Sequence, residues 1–241
     1  MDQPLEGRHR RRLWHAIAER ADVPGQDGWA QAVCVACVET LPRLDGAIVA
    51  LRGDVRAQQV LGASDAWAAQ LAETQYTVGE GPGVEAYVTG GPILIPDLGG
   101  EQERWPGFVR SAMAVDAAAM FAFPLQVGAI RLGTLELVRR RSGGLSTREV
   151  SEAVLLAELA TIGLLEEAGE AERAGREFAP RPVTSFRDVN VATGMLAAQL
   201  RISLDDAFIR LRAHAFGQGR SVLAVARDVL DRRIRLEELA E

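Results

Sequence analysis

Between Ser146 and Pro180 the sequence commits to one long helix, and the rest of the chain has to be arranged around it. Ser146-Thr-Arg-Glu149 has the form of a capping box. In it the serine hydroxyl accepts from the amide at 149 and the glutamate reaches back to the serine amide. Val150, Val154, Leu155, Ala157, Ile162 and Leu165 then recur at helical spacing. Beyond them the sequence turns acidic at Glu166, Glu167, Glu170 and Glu172, and Pro180 and Pro182 end it. A helix running to about Phe178 exceeds an ordinary globular element and suits a signalling or dimer stalk. It divides the 241 residues into a strand-bearing half and a shorter helical half.

The first half opens with a helix predicted over Glu6 to Ala21, ending in the turn-rich 22–28. A second helix follows to about Leu41. Asp45 to Leu51 reads as a buried strand, Arg52-Gly-Asp54 as a hairpin turn, and Val55 to Leu61 as the returning strand. Ser64 is placed to cap a helix reaching about Gln75. Tyr76 to Tyr87 is a Gly-Pro loop entering a short helix, with Pro82 suited to its first turn. Ile93 to Ile95 is a short strand, followed by a loop carrying Trp105, Pro106 and Phe108. Ala119 to Val127 and Ala129 to Arg139 are two longer strands about a turn at Gly128. Strands outnumber crossover helices, so the expected class is α+β with an antiparallel sheet.

The last sixty residues read as three helices. Asp188 is expected to cap the first, with Val189, Ala192, Met195, Leu196 and Leu200 along it. Ser203 with Asp206 reads as a second capping box. Leu204, Ala207, Phe208, Leu211 and Ala215 then make one apolar stripe. Ser221 caps the third helix, whose Val222, Val225, Ala226, Val229 and Leu230 face inward. A bundle this small holds little core alone, so support from the preceding long helix is expected. Charge separates the halves. The chain carries −6 overall, yet residues 181–235 hold ten Arg against five Asp, a basic module on an acidic protein. Arg210, Arg212 and His214 lie off the stripe, and Arg220 stands at a helix N-terminus, which favours phosphate.

All 27 basic residues are Arg, which excludes a Lys Schiff base and a P-loop. No His occurs between His15 and His214, so a Ser-His-Asp triad or a His-rich metal site has no material there. Cys34 and Cys37 form a Cys-x-x-Cys inside an apolar helical run with no second pair, and read as small core residues. No catalytic residues, metal or cofactor are expected, and the chain is not read as an enzyme. No window reaches eighteen uninterrupted apolar residues and Met1 to Arg12 has no apolar signal core, so a cytoplasmic protein without a membrane partner is expected.

Three segments in order, Val189 to Leu196, Ser203 to Ala215 and Arg220 to Leu230, resemble the ANTAR domain, a three-helix RNA-binding module of bacterial transcription antiterminators. Gly79-Glu-Gly-Pro-Gly83, Ala86 to Gly90, Pro92 to Asp97, and the Phe123–Leu125 and Gly133–Leu135 strand pair resemble a GAF domain of the kind fused to it. The resemblance implies a GAF-like antiparallel sheet with flanking helices, a long connecting helix and a three-helix ANTAR bundle. Its divisions are an N-terminal helix at 1–22, a sensor at 23–147, a connecting helix or coiled coil at 148–179, an RNA-binding domain at 180–235 and an acidic tail at 236–241.

It also implies a homodimeric regulator that binds paired stem-loops with hexanucleotide loops in nascent RNA, under control of a small-molecule or protein signal. The implied RNA contacts are Thr193 and Gly194 on an exposed first-helix motif, Arg210, Arg212, His214, Arg220 and Ser221. Lys is common where Thr193 stands, and Cys is common where Gly83 stands. Tyr76, Tyr87, Trp105 and Phe108 are the candidate lining of a GAF pocket. Two alternatives stay open: a DNA-binding helix-turn-helix, and a protein-interaction module that binds no nucleic acid.

Overall fold

The computed structural model describes residues 3–21, 28–53, 58–178, 180 and 182–234. The acidic tail at 236–241, most of the 22–28 turn and part of the 52–54 hairpin turn lie outside the described residues.

Ala47, Ile48, Val49 and Ala50 are buried on both faces of β1 (Gly46–Arg52), which therefore belongs at the centre of a sheet. Its neighbours are β2 (Gln58–Ala63) on one side and β5 (Ile130–Arg139) on the other. With β3 (Ile93–Ile95), β4 (Ala119–Val127) and β6 (Thr184–Ser185) the order is β3-β4-β5-β1-β2-β6, and every pairing is antiparallel. The expected hairpin about Gly128 joins β4 to β5, with Gly128 at φ 58°. Of the strand expected over Val55 to Leu61, residues 55–57 lie outside the described residues, and the rest is in β2, which runs on to Ala63. The pairing of β6 with β2 was not expected: it ties the proline-containing connector to the sheet edge.

One face of the sheet is covered by α2 (Gly28–Thr40) and α6 (Thr147–Arg173), with α1 (Gln3–Ala21) packed outside α2. Cys34 and Cys37 are buried there as free thiols, and burial pushes both thiols up, away from reactivity. The other face carries α3 (Ala66–Val78), α4 (Pro82–Thr89), a 3-10 turn at Leu98–Glu101 and α5 (Pro106–Met113). The segment read as a loop around Trp105 is thus partly helical, with Pro106 filling the first-turn position. The cap of α3 is Asp65, which accepts from the Ala68 amide at 2.8 Å, while Ser64 instead accepts from the Ala47 amide at 3.0 Å.

The long helix is real and shorter than expected. Its capping box is complete: Ser146 Oγ accepts from the Glu149 amide at 3.3 Å and Glu149 from the Ser146 amide at 2.7 Å. It is a wall of the body over most of its length, since Ala153 to Ala171 contribute buried residues. Trp29 fixes its position: the indole N–H donates to the Leu159 carbonyl at 2.9 Å, and the ring occupies the space a Cβ would need at Gly163.

Two outcomes are expected. Gly163→Ala forces the Trp29 ring from its site and costs about 1–3 kcal/mol in denaturant unfolding. The bonds from Ser146, with Arg139 Nη2 at 2.7 Å, hold the Glu149 carboxyl below its ordinary 4.5. The resulting stabilisation is complete above that value and drains as pH falls through the lowered folded value. Glu149→Gln keeps the capping box but removes the charge facing Arg139, so this acid dependence disappears at a cost of about 1 kcal/mol at neutral pH, measurable as a pH series of melting temperatures.

Candidate functional site

The three C-terminal helices are α7 (Arg187–Leu200), α8 (Leu204–Gly217) and α9 (Val222–Leu230). Ala207, Phe208, Leu211 and Ala215 form the buried stripe of α8 as the spacing requires, but Leu204 is 51% exposed. Ser221 caps α9 through the Ala224 amide at 3.1 Å. Ser203 accepts from the Asp206 amide at 3.0 Å, but Asp206 returns to the Ser203 hydroxyl and the expected box is only half made. Asp188 does not cap α7. It lies inside the first turn and pairs with Arg227 at 3.3 Å.

The stripe meets α3 and α5 and shares a core with them. Phe186, Val189, Leu196, Phe208, Leu211, Val222 and Val225 are buried in one cluster with Leu71, Tyr76, Trp105 and Phe108. The buried residues of α6 belong to the other cluster, so support comes from the body's helices and not from the connecting helix. Phe186 stacks on Tyr76 with ring centroids 3.7 Å apart, and Phe208 lies 5.7 Å from the same ring.

The junction is closed by the last turn of α3, whose final carbonyls have no partner within the helix. Arg212 Nε donates to the Thr77 carbonyl at 2.6 Å, placing a cation at the negative end of α3. Thr77 also acts from its side chain: its hydroxyl oxygen accepts from the Val222 amide at 3.1 Å, satisfying one of the open donors that begin α9. Burial lowers the Arg212 guanidinium from its ordinary value, opposed by Tyr76 and Glu80. The group fills the space above Gly79, where φ is 73° and a side chain would collide with it.

Several expected RNA contacts therefore sit differently from the sequence reading. Thr193 is 3% exposed and donates to the Val189 carbonyl at 2.7 Å, so it is a packed helix residue and not an exposed one. Gly194 is half-buried with open space above it. Arg212 is turned onto the body. His214 is half-buried, and its Nε2 has no partner among the described residues. Arg220 Nη2 pairs with Asp228 at 2.5 Å, and Arg220 holds the Asp228 carboxyl below the usual carboxylate range. Arg210 is exposed on the outer side of α8.

The expected aromatic pocket is also rearranged. Tyr76, Trp105 and Phe108 are buried in the core that the body shares with the C-terminal helices, and Tyr76 packs directly on Phe186 and Phe208. Tyr87 stands apart, its hydroxyl donating to the Gly53 carbonyl at 3.4 Å. In place of an aromatic pocket, the sheet face beside α3 and α4 holds a buried polar cluster. Glu136 accepts from Gln75 Nε2 at 2.5 Å and from Thr134 Oγ1 at 2.8 Å, and Gln75 accepts from the Gly83 amide at 2.9 Å. Glu136 takes the space a side chain at Gly83 would occupy.

Arg52 Nη2 is 3.7 Å from Glu136, and burial lowers the Arg52 guanidinium against the pull of that carboxylate. Arg52 Nε and both ends of the Gln58 amide are buried with no partner among the described residues. The signal for this cluster was present in Leu132-Gly-Thr-Leu-Glu-Leu137: Thr134 and Glu136 alternate with leucines in a strand buried on both sides. Among the described residues no group of three or more His, Cys, Asp or Glu is placed to hold a metal, and no helix is long and apolar enough to cross a membrane.

With this geometry in place, the comparisons with known proteins divide along the same junction. Residues 183–230 match the ANTAR domain family model, which spans α7 to α9. The body has the fold of solved GAF domains. That of a phosphoenolpyruvate-protein phosphotransferase from Coxiella burnetii is 17% identical with a TM-score of 0.50, covering 69% of this chain and 96% of that one. The GAF domain of an Acinetobacter phosphoenolpyruvate-protein phosphotransferase is 11% identical with a TM-score of 0.50, covering 71% and 97%. No curated protein matches the chain. The architecture is a sheet-bearing body carrying a three-helix module. It is a GAF fold joined to an ANTAR domain.

Thr77→Val removes the acceptor for the Val222 amide while keeping the side-chain shape. The expected result is a loosening of α9 by about 1–3 kcal/mol. Native-state hydrogen exchange should show it as faster exchange at Val222 and along α9, with β1 and β5 unchanged.

Proposed function

We propose that this GAF–ANTAR chain is a cytoplasmic, homodimeric transcription antitermination regulator. It binds paired stem-loops with hexanucleotide loops in nascent RNA and keeps an overlapping terminator from forming. The observation that carries the reading is the coincidence of the ANTAR match with the basic three-helix module docked on a GAF fold. Ten Arg against five Asp over 181–235 supply phosphate neutralisation on a chain that is otherwise acidic. The sensor is 23–147, the connector 148–179 and the RNA-binding domain 180–235. Gly194, Arg210 and Arg220 with Ser221 form the surface offered to RNA, and Arg212 joins them when the domain undocks.

The docked arrangement is the held state, since Arg212 is spent on Thr77 and the apolar stripe is occupied by the body. A small-molecule or protein signal acts at the Arg52, Gln58 and Glu136 cluster, where buried polar atoms stand without partners among the described residues. No catalytic step is required, because competition between RNA folds does the work. A helix-turn-helix reading fits less well: Val222, Leu223 and Val225 bury the start of the third helix, the part such a protein offers to the major groove.

The test is binding of a labelled two-hexaloop RNA against double-stranded DNA of equal length over a salt series. The full chain is expected to prefer the RNA, and Thr77→Val to bind it about tenfold more tightly by freeing the module. Arg220→Ala should lower the salt slope by about 1. Equal binding of the DNA overturns the RNA assignment. Absence of binding by Thr77→Val to either nucleic acid points to a protein-interaction module.

A further inference from the structure

Docking leaves a crevice between the body and α8, about 510 Å³ in volume and open to solvent, within the range of small-molecule sites. Val78 and Pro106 form its floor on the body side, and Ile209 and Phe216 its wall on α8. These two side chains, about two turns apart on one side of α8, are 61% and 46% exposed, a large apolar surface left open beside the body.

Charge in the crevice is unbalanced. Arg110 of α5 and Arg212 of α8 both line it, and neither has an ion-pair partner among the described residues. The Thr77 carbonyl and the end of α3 answer part of the Arg212 charge through Nε. Its remaining N–H groups make no hydrogen bond to a carboxylate among the described residues, Glu80 acting on the charge only through space, and the guanidinium is half-buried. Glu80 is the one acidic residue in the lining, and its Oε1 is engaged by the Gly107 and Phe108 amides at 2.6 and 3.1 Å. Two guanidinium groups and one carboxylate leave one positive charge beside an apolar trough.

We propose that this crevice binds an amphipathic monocarboxylate, a single carboxylate on an unbranched apolar chain. The carboxylate sits between Arg110 and Arg212 and the chain covers Ile209 and Phe216. The lining comes from both halves, so a bound carboxylate favours the docked arrangement over any other. The site rests on the crevice and its charge, and stands whether or not the module reads RNA.

The test is calorimetric titration of the full chain with decanoate below its micelle concentration, with decanol as the uncharged comparison and no nucleic acid present. One saturable site per chain is expected, with a dissociation constant on the order of 100 μM and decanol at least tenfold weaker. Arg110→Glu and Ile209→Asp replace exposed side chains, so circular dichroism should show an unchanged fold. Each is expected to weaken decanoate at least tenfold, while Val88→Asp, on the distant α4, leaves it unchanged. The proposal is overturned by no saturable binding, by equal binding of decanol, or by decanoate binding that survives both crevice variants.

Discussion

Thr77 completes two helices at once, and the joining of the two halves depends on it. Its carbonyl takes Arg212 at the end of α3, and its hydroxyl takes the first amide of α9. Backbone groups at helix ends have to find partners somewhere. Here one residue lets the end of a body helix and the start of a C-terminal helix answer each other. Around that point the apolar surfaces close, with Tyr76 on Phe186 and Phe208 behind them. A bundle of three short helices buries too little surface to be firm by itself. The body lends it a core through α3 and α5, leaving the opposite sheet face to α2 and α6.

The glycines at 79 and 83 belong to the same construction. In a loop rich in glycine the obvious thought is a cradle for phosphate, yet each of these residues makes room for a side chain arriving from elsewhere in this protein. Arg212 comes to rest over Gly79 and Glu136 over Gly83. The loop is therefore the seat of an interdomain contact at one end and of the buried polar cluster at the other. The turn of α3 just before it carries the matching partners.

What could be read from the sequence was whatever short-range chemistry specifies. Ser146 and Glu149 announced the start of α6, Gly128 the β4–β5 hairpin, and the spacing of Ala207, Phe208, Leu211 and Ala215 the buried side of α8. A stripe states that a surface is covered without stating by what, and so α6 was expected where α3 and α5 stand. The same gap accounts for Arg212. It lies off the stripe, which suggested solvent, but the body takes it in. Thr193 was placed at the surface by the resemblance and is buried, bonded within its own helix. Trp105 and Phe108 were taken for pocket lining because aromatic residues serve either purpose and only the third dimension decides. The sequence shows Arg52 only as a turn residue and gives no sign of its meeting Gln58 and Glu136, because they come from two hairpins far apart in the chain, and a half-satisfied cluster exists only once the strands are paired.

Gln75, Tyr76 and Thr77 are consecutive, and each looks in its own direction: to Glu136 in the polar cluster, to Phe186, and to α8 and α9. A helix advances about 100° per residue, so inserting or deleting one residue upstream in α3 would swing all three away together. The three contacts thus tie this stretch of α3 to one length and one register.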